Sequence, residues 1–314
     1  MEYYFAPMEG VTDSIYRRVH HQFFGGVDRY YMPFFSPTIH RHLTQKEERE
    51  LPMADGEGFL AIPQILTKNP EDFLWAAQVC ADRGYPEVNL NVGCPSGTVV
   101  AKGKGAGMLR DLEGLERFLE TVFSASPIPV SVKTRLGMEE PEEFRRILEI
   151  YNRFPIAQLI VHPRVREDYY KEPVRWEWFT FAAEESRAPI CYNGNLTTRE
   201  QCGQVQARWP NVTAVMLGRG LIGDPGMLTP EGTTRPKLRA FHDALYEEYI
   251  RAFQSERNAM FRMKENWHCM IHRFEDSQKL WKKLRKTTDT AQYRAVTAEI
   301  FETLPMAPAL QADW

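Results

Sequence analysis

Short apolar and β-branched runs recur along the chain, each followed by turn residues and then by a stretch with helical patterning. Eight such runs centre near Tyr3, Tyr30, Ile62, Leu90, Val132, Ile160, Cys191 and Met216. Helix-like segments, including 70–83, 111–123, 140–154 and 198–208, lie between them. Asn69-Pro70 and Thr197 read as helix starts, because a capping side chain followed by proline suits a first helical turn. Strands that alternate with helices predict parallel βαβ units. Eight units within the first 235 residues match a (β/α)8 TIM barrel, an α/β fold of about 250 residues. A doubly wound sheet would carry a GxGxxG after its first strand, and Gly10 stands alone there.

The alternation stops at the Pro/Gly/Thr-rich stretch 229–237. Beyond it the strand signal fades, and four helical segments follow near 238–253, 258–274, 277–287 and 291–304. The expected organisation is a barrel over 1–235 followed by a smaller all-helical C-terminal domain over 236–314. From Lys237 onward there are 13 basic and 11 acidic residues, against 26 and 31 before it. The mild excess is concentrated in Lys279, Lys282, Lys283, Arg285 and Lys286.

Composition narrows the class. The 314 residues are 43% hydrophobic, ample for a large core, and the net charge of −3 excludes a polycation. No apolar run reaches the roughly 18 residues that a spanning helix needs, and the N-terminus lacks a signal-peptide pattern. A soluble cytoplasmic protein is expected, with no membrane partner. The five cysteines are odd in number and none is CxxC-spaced, so neither a disulfide framework nor a metal site is suggested. Nothing points to an oligomer, and a monomer is the expectation.

Barrels of this kind carry their chemistry at the carboxyl ends of the strands. There this chain places Pro7-Met8-Glu9, Gln64, Asn91 with Cys94, Lys133 with Arg135, His162, Asn193-Gly194-Asn195 and Gly218-Arg219. So many polar groups are unfavourable unless they meet a ligand, water or each other. Asn-Gly and Gly-Arg-Gly taken singly are turns. At successive strand ends they read as a phosphate site, where bare backbone N–H groups close on the anion. Lys133, inside an apolar strand, needs an anionic partner. A salt bridge to a carboxylate such as Glu9 is one solution, and a reduced flavin, negative near N1, is another. Cys94 lies between Gly93 and Pro95 at a strand mouth, an unusual place for a packing cysteine. A thiol of ordinary pKa, near 8.5, is mostly protonated at neutral pH and can donate a proton.

The stretches APMEGVTDSIYRR, PQIL, NLNVGCPSGTVVAKGKGAGML, SVKTRLG, VHPR, YNGN and MLGRGLIGDP occur in that order. Together they resemble the tRNA-dihydrouridine synthases, and the match covers nearly the whole barrel. The resemblance implies an enzyme that uses FMN and NADPH to reduce the C5=C6 bond of uridines in tRNA. It implies that Cys94 is the general acid and that Asn91 and Arg135 contact uracil. It implies that Pro7, Met8, Glu9, Gln64, Lys133 and His162 contact FMN, with Asn193, Gly194, Asn195, Gly218 and Arg219 around its phosphate. The helical tail then resembles a tRNA-binding domain. Lys102 and Lys104, on the cysteine loop, can also approach phosphates. Pro163 stands where the family often has glycine, so that position offers no N–H. Two rivals remain: a dihydroorotate-dehydrogenase-like flavoenzyme, which needs no basic tail, and an RNA-binding module without catalysis.

Overall fold

The computed structural model describes residues 1–311. Nine strands form one parallel sheet: β1 (Glu2–Phe5), β2 (Arg29–Tyr31), β3 (Ala61–Ile62), β4 (Gln64–Ile65), β5 (Val88–Val92), β6 (Val130–Arg135), β7 (Leu159–His162), β8 (Ile190–Asn193) and β9 (Val212–Leu217). Their spatial order is β3-β2-β1-β9-β8-β7-β6-β5-β4. The two ends of that order, β3 and β4, are consecutive in the chain and separated only by Pro63. Proline has no N–H to give a ladder, so the third stave breaks there and pairs with β2 on one side and β5 on the other. Counted as staves the sheet is the expected eight-membered barrel.

Thirteen α-helices accompany it among the described residues. Among the barrel segments are α1 (Ser14–Phe23), α2 (Gln45–Glu50), α3 (Pro70–Asp82), α4 (Gly97–Val100), α5 (Leu112–Ala125), α6 (Glu143–Tyr151), α7 (Trp176–Glu185), α8 (Arg199–Arg208) and α9 (Arg219–Gly223). The tail contributes α10 (Arg235–Phe253), α11 (Glu256–Met270), α12 (Gln278–Lys286) and α13 (Thr290–Thr303). Asn69 caps α3 as its position suggests, its side chain accepting from the N–H of Glu71 and Asp72 with Pro70 next in line.

Two compact units interleave along the chain. One comprises 1–7, 28–194 and 202–216; the other comprises 8–27, 195–201 and 217–314. The change from alternation to pure helix near 235 is therefore not where compactness divides, because α1 and the turn into α9 belong with the tail helices.

In the first unit the barrel interior is divided by chemistry. Tyr4, Ala6, Tyr31, Ile62, Ile160, Cys191, Ala214 and Met216 form an apolar cluster on one side. On the other side the inward positions of β4, β5 and β6 are polar. Register sets Gln64 beside Asn89, Asn89 beside Ser131, and Asn91 beside Lys133. Buried amides are tolerated only when bonded, and these are. Outside the sheet, Trp176 stacks between Tyr192 and Trp209 at centroid distances of 5.0 and 5.5 Å.

In the second unit α1 packs on α10, with Phe241 edge-on to Tyr16 and Phe24. His20 lies fully buried there, and burial lowers its pKa to about 3, so it is neutral and meets the Pro225 carbonyl at 3.0 Å. Trp267 of α11 is the largest fully buried side chain. Its indole N–H donates to the Tyr293 hydroxyl at 3.1 Å, and His242 meets the same hydroxyl at 2.9 Å. Trp267→Ala removes this packing and one hydrogen bond. We expect a loss of about 3–5 kcal/mol, read as a lowered denaturant midpoint of the tail-helix transition.

Candidate active site

Cys94 follows β5, in the turn Gly93-Cys94-Pro95. The Asn91 side-chain oxygen accepts from the N–H of both Gly93 (3.1 Å) and Cys94 (2.9 Å), so the turn is bound to the strand that launches it. The cysteine carbonyl accepts from Ala106 N–H at 3.1 Å, and Gly105 lies so close that a Cβ there would stand 2.9 Å from that same oxygen. The φ of +56° at Gly105 adds a second reason for glycine. Two successive loops thus hold the Cys94 backbone and leave its side chain partly open. Cys80, Cys191, Cys202 and Cys269 are all buried. Burial pushes the Cys80 and Cys269 thiols up to about 12, and it also raises Cys191 well above the ordinary thiol value. The sequence signal, a cysteine outside any element, therefore found the one thiol with access to solvent.

Asn91 is itself positioned. Its amide donates to Gln64 Oε1 (2.7 Å), Gln64 donates to Asn89 Oδ1 (2.7 Å), and Asn89 donates to Ser131 Oγ (2.8 Å). Ser131 then bonds Glu87. Burial raises the Glu87 carboxyl, while Ser131 and Arg29, the latter at 3.0 Å, lower it. Gln64 and Asn91 were expected from the sequence; Asn89, Ser131 and Glu87 were not. The readable signal was Asn-Leu-Asn, which puts two amides on one face of a strand.

Lys133 points from β6 into the same polar half. It has no hydrogen bond or ion pair among the described residues, so the salt-bridge alternative is not realised. Burial lowers its pKa to about 8, with Arg135 pushing the same way and Cys191 and Cys94 opposing. A cation held this way is a site prepared for an anion.

Arg135, one turn of the ladder further on, is 1% exposed. It donates to the carbonyls of Gly93 (3.1 Å), Val165 (2.8 Å) and Tyr169 (2.6 Å). Its guanidinium also lies 5.2 Å from the centroid of the Tyr170 ring. Asp168 completes this loop by accepting from Val165 N–H and pairing with Arg175. His162 Nε2 takes a bond from Arg164 Nη1 at 3.0 Å, which leaves the ring proton on Nδ1. Tyr170 sits beside His162 at 5.9 Å and is 49% exposed, an aromatic face held open at the strand ends. The sequence reading missed it, since a Tyr in a loop carries no periodic signal.

The remaining expected residues fall at the turns after β1, β8 and β9. Pro7 ends β1, and Met8 and Glu9 begin a turn in which Met8 N–H donates to Thr12 Oγ1 at 2.8 Å. Asn193 donates to the Met216 carbonyl at 2.9 Å. Gly194 and Gly220 have no room for a side chain: a Cβ would fall 2.7 Å from the Tyr192 hydroxyl and 2.0 Å from the Leu196 carbonyl. Arg219 donates to Asn195 Oδ1 at 3.1 Å. Gly218 precedes α9 without a side-chain cap, and its carbonyl accepts from the N–H groups of Leu221 (3.0 Å) and Ile222 (3.1 Å). In the tail, Leu280 and Leu284 bury one side of α12 while Lys279, Lys282, Lys283, Arg285 and Lys286 are exposed.

A parallel eight-stave barrel thus carries a buried lysine without a partner among the described residues and one accessible thiol at its strand ends, a setting suited to an anionic cofactor. The comparisons with known proteins specify it. The dihydrouridine synthase (Dus) family model matches residues 4–311. A tRNA-dihydrouridine(16) synthase of Pseudomonas putida is 29% identical, covering 96% of this chain and 99% of its own length. One from Ralstonia nicotianae is 32% identical over 70% of this chain and 69% of its own. The fold is shared with histamine dehydrogenase from Rhizobium sp. 4-9 (TM-score 0.53, 12% identity, covering 72% of this chain and 45% of that one). It is shared also with a morphinone reductase variant in complex with tetrahydroNAD (TM-score 0.51, 12% identity, 72% and 85%). The chain belongs to the dihydrouridine synthase family and is an FMN-dependent oxidoreductase.

A thiol reagent separates the five cysteines. We expect one fast-reacting thiol per native chain, five after denaturation, and none in native Cys94→Ser. More than one fast thiol in the native protein would contradict the burial pattern.

Proposed function

We propose that this enzyme uses NADPH to reduce uridines of tRNA at C5=C6, and that it works as a cytoplasmic monomer. The observation that supports it most is the single accessible thiol bound to a polar barrel wall beside an unpaired lysine. Lys133 fits a flavin, because a half-buried cation without a partner is matched by an anionic ring edge. Pro7, Met8, Glu9, Gln64, Lys133 and His162 would hold the ring, with Asn193, Gly194, Asn195, Gly218 and Arg219 around the phosphate. When bound, FMN supplies the hydride that is added at C6 of uracil.

The chain's own residues do the rest. Uracil's C5=C6 bond is conjugated to the C4 carbonyl, so addition at C6 leaves electron density to be protonated at C5. Cys94 supplies that proton from its S–H and recovers one from water, while Asn91 fixes the backbone that carries it. Asn91 has a second N–H beyond the one given to Gln64, a donor suited to a uracil carbonyl. Arg135 serves the substrate through the loop and the Tyr170 ring that it holds, and that ring offers a stacking face for an extruded base. The basic face of α12 suits phosphates of the RNA, a contact that weakens with salt.

Two tests follow. Cys94→Ala should keep its flavin and its NADPH oxidation while dihydrouridine formation falls by about 10²–10⁴-fold, the usual worth of a general acid. Product at the wild-type rate would remove Cys94 from the role. The second test uses pH. Lys133 is charged below about 8, against an ordinary lysine value near 10.4. Without ligand, the charged form disfavours folding, and stability rises as pH climbs from 8 toward the unfolded value. An anionic ligand favours the charged form, so affinity for reduced FMN, negative near N1, should fall about tenfold between pH 7 and 9. Lys133→Met should bind reduced FMN more weakly and flatten that profile, read by anaerobic titration of apoprotein with reduced FMN.

A further inference from the structure

Beside the Cys94 loop, the same unit carries a second feature that the reaction does not use. The loop between β2 and α2 presents Ile39 at 89% exposure, with the rings of His40 and His42 stacked 6.3 Å apart. Ile39, His40 and Arg41 line one wall of an open cavity of about 510 Å³, and Asn69 and Asp72 at the start of α3 line the other. That lies within the roughly 300–1,000 Å³ of small-ligand pockets. Arg41 adopts φ +48° and pairs with Glu71 (3.0 Å) and Asp72 (3.2 Å), which holds the loop tip against the helix. The Thr38 hydroxyl is buried there with no hydrogen-bond partner.

Lysines stand near these segments, Lys68 just before α3 and Lys102 and Lys104 on the cysteine loop. A Cβ on Gly103 would stand 3.4 Å from Lys68 Nζ. Lys104 bonds the Ser36 hydroxyl at 2.8 Å. Its ammonium is disfavoured first by burial and also by Lys102 and Lys68, and is favoured by Asp72. Three lysines sharing one field is unfavourable in the free protein and is relieved by a polyanion. With Arg41 they make four cations against Glu71 and Asp72, an excess of positive charge near a pocket lined by Ile39, His40, Arg41, Asn69 and Asp72.

We propose that this cavity takes an unstacked nucleotide of the RNA substrate, next to the uridine being reduced. Its base rests on Ile39 and His40, and its phosphates lie along Lys68, Lys102 and Lys104. The inference rests on the RNA reading above and adds a second nucleotide contact on the barrel itself. The chemistry is that of sites for single-stranded nucleic acid, a charged track beside flat faces on which bases lie. Asn69, Asp72 and Arg41 supply the edge donors and acceptors.

The test uses holoenzyme and an unmodified tRNA transcript. Binding is followed by anisotropy over a salt series for wild type, Lys68→Ala/Lys102→Ala and Ile39→Asp, with flavin content and NADPH oxidation as controls. The double variant should lower the slope of log K against log salt by about 2, one per phosphate contact, and weaken binding several-fold. Ile39→Asp should weaken binding at every salt concentration, and both variants should keep wild-type flavin content and NADPH oxidation. Photo-crosslinking from 4-thiouridine-substituted transcript should reach residues 36–44. An unchanged slope with crosslinks confined to other segments overturns the proposal while leaving the RNA reading intact. A wild-type enzyme that neither binds nor modifies the transcript overturns the RNA reading itself.

Discussion

The site depends on the carboxamide of Asn91. Its oxygen receives two consecutive backbone N–H groups, those of Gly93 and Cys94, and its nitrogen is anchored to Gln64. Because each amide in the series donates to the next, from Asn91 through Gln64 and Asn89 to Ser131, the orientation of every one is fixed by its neighbour. A thiol on a glycine-flanked turn would otherwise sample many positions. Here its backbone is tied to a strand buried along its whole length, and only χ1 is left to vary. A substitution at Asn89 or Ser131, far from any substrate, therefore acts on Cys94 through the same series.

The barrel interior carries the complementary half of that design. The staves β1 to β3 and β7 to β9 fill their side with tyrosine, isoleucine, cysteine, alanine and methionine. This apolar mass offsets the conformational and desolvation penalties of a polar wall on β4, β5 and β6. It also lowers the local dielectric around Lys133, whose depressed pKa follows from burial more than from any neighbour. The lysine is destabilising in the free chain and becomes favourable when an anion arrives. Sites of this kind trade stability for affinity, and the trade is visible as a cation with no partner among the described residues.

Much of this was legible in the sequence for identifiable reasons. The strand and helix alternation set the stave count, and Asn91, Lys133 and His162 lie on the strands, with Cys94 just after one, as expected. The break at Pro63 was not legible as a break, because Ala-Ile-Pro-Gln-Ile reads as one run. Only the three-dimensional closure shows that its two halves serve opposite neighbours. The resemblance assigns Arg135 to uracil. In the structure its guanidinium holds three loop carbonyls, a use that no spacing rule encodes. Tyr170 was invisible for the converse reason: its importance lies in which rings and cations it meets, not in its place in a pattern. The compact units also cut across the sequence boundary near 235, since α1 and the turn into α9 have barrel-like spacing but tail-helix contacts.

Catalysis and substrate recognition are thereby separated within the barrel. The residues that fix Cys94 lie inside, where a change of one atom propagates along a bonded series. Tyr170 and Ile39, which the proposed readings set against RNA, stand on segments held by arginine–carbonyl and arginine–carboxylate contacts. Such loops can change sequence without disturbing the amide series, because their anchors are backbone carbonyls and a few carboxylates. A chain built this way can retain one reaction at C5 and C6 while altering which nucleotide it presents to the thiol. Arg135 is the side chain that joins the two, since it donates both to Gly93 in the cysteine turn and to Tyr169 in the aromatic loop.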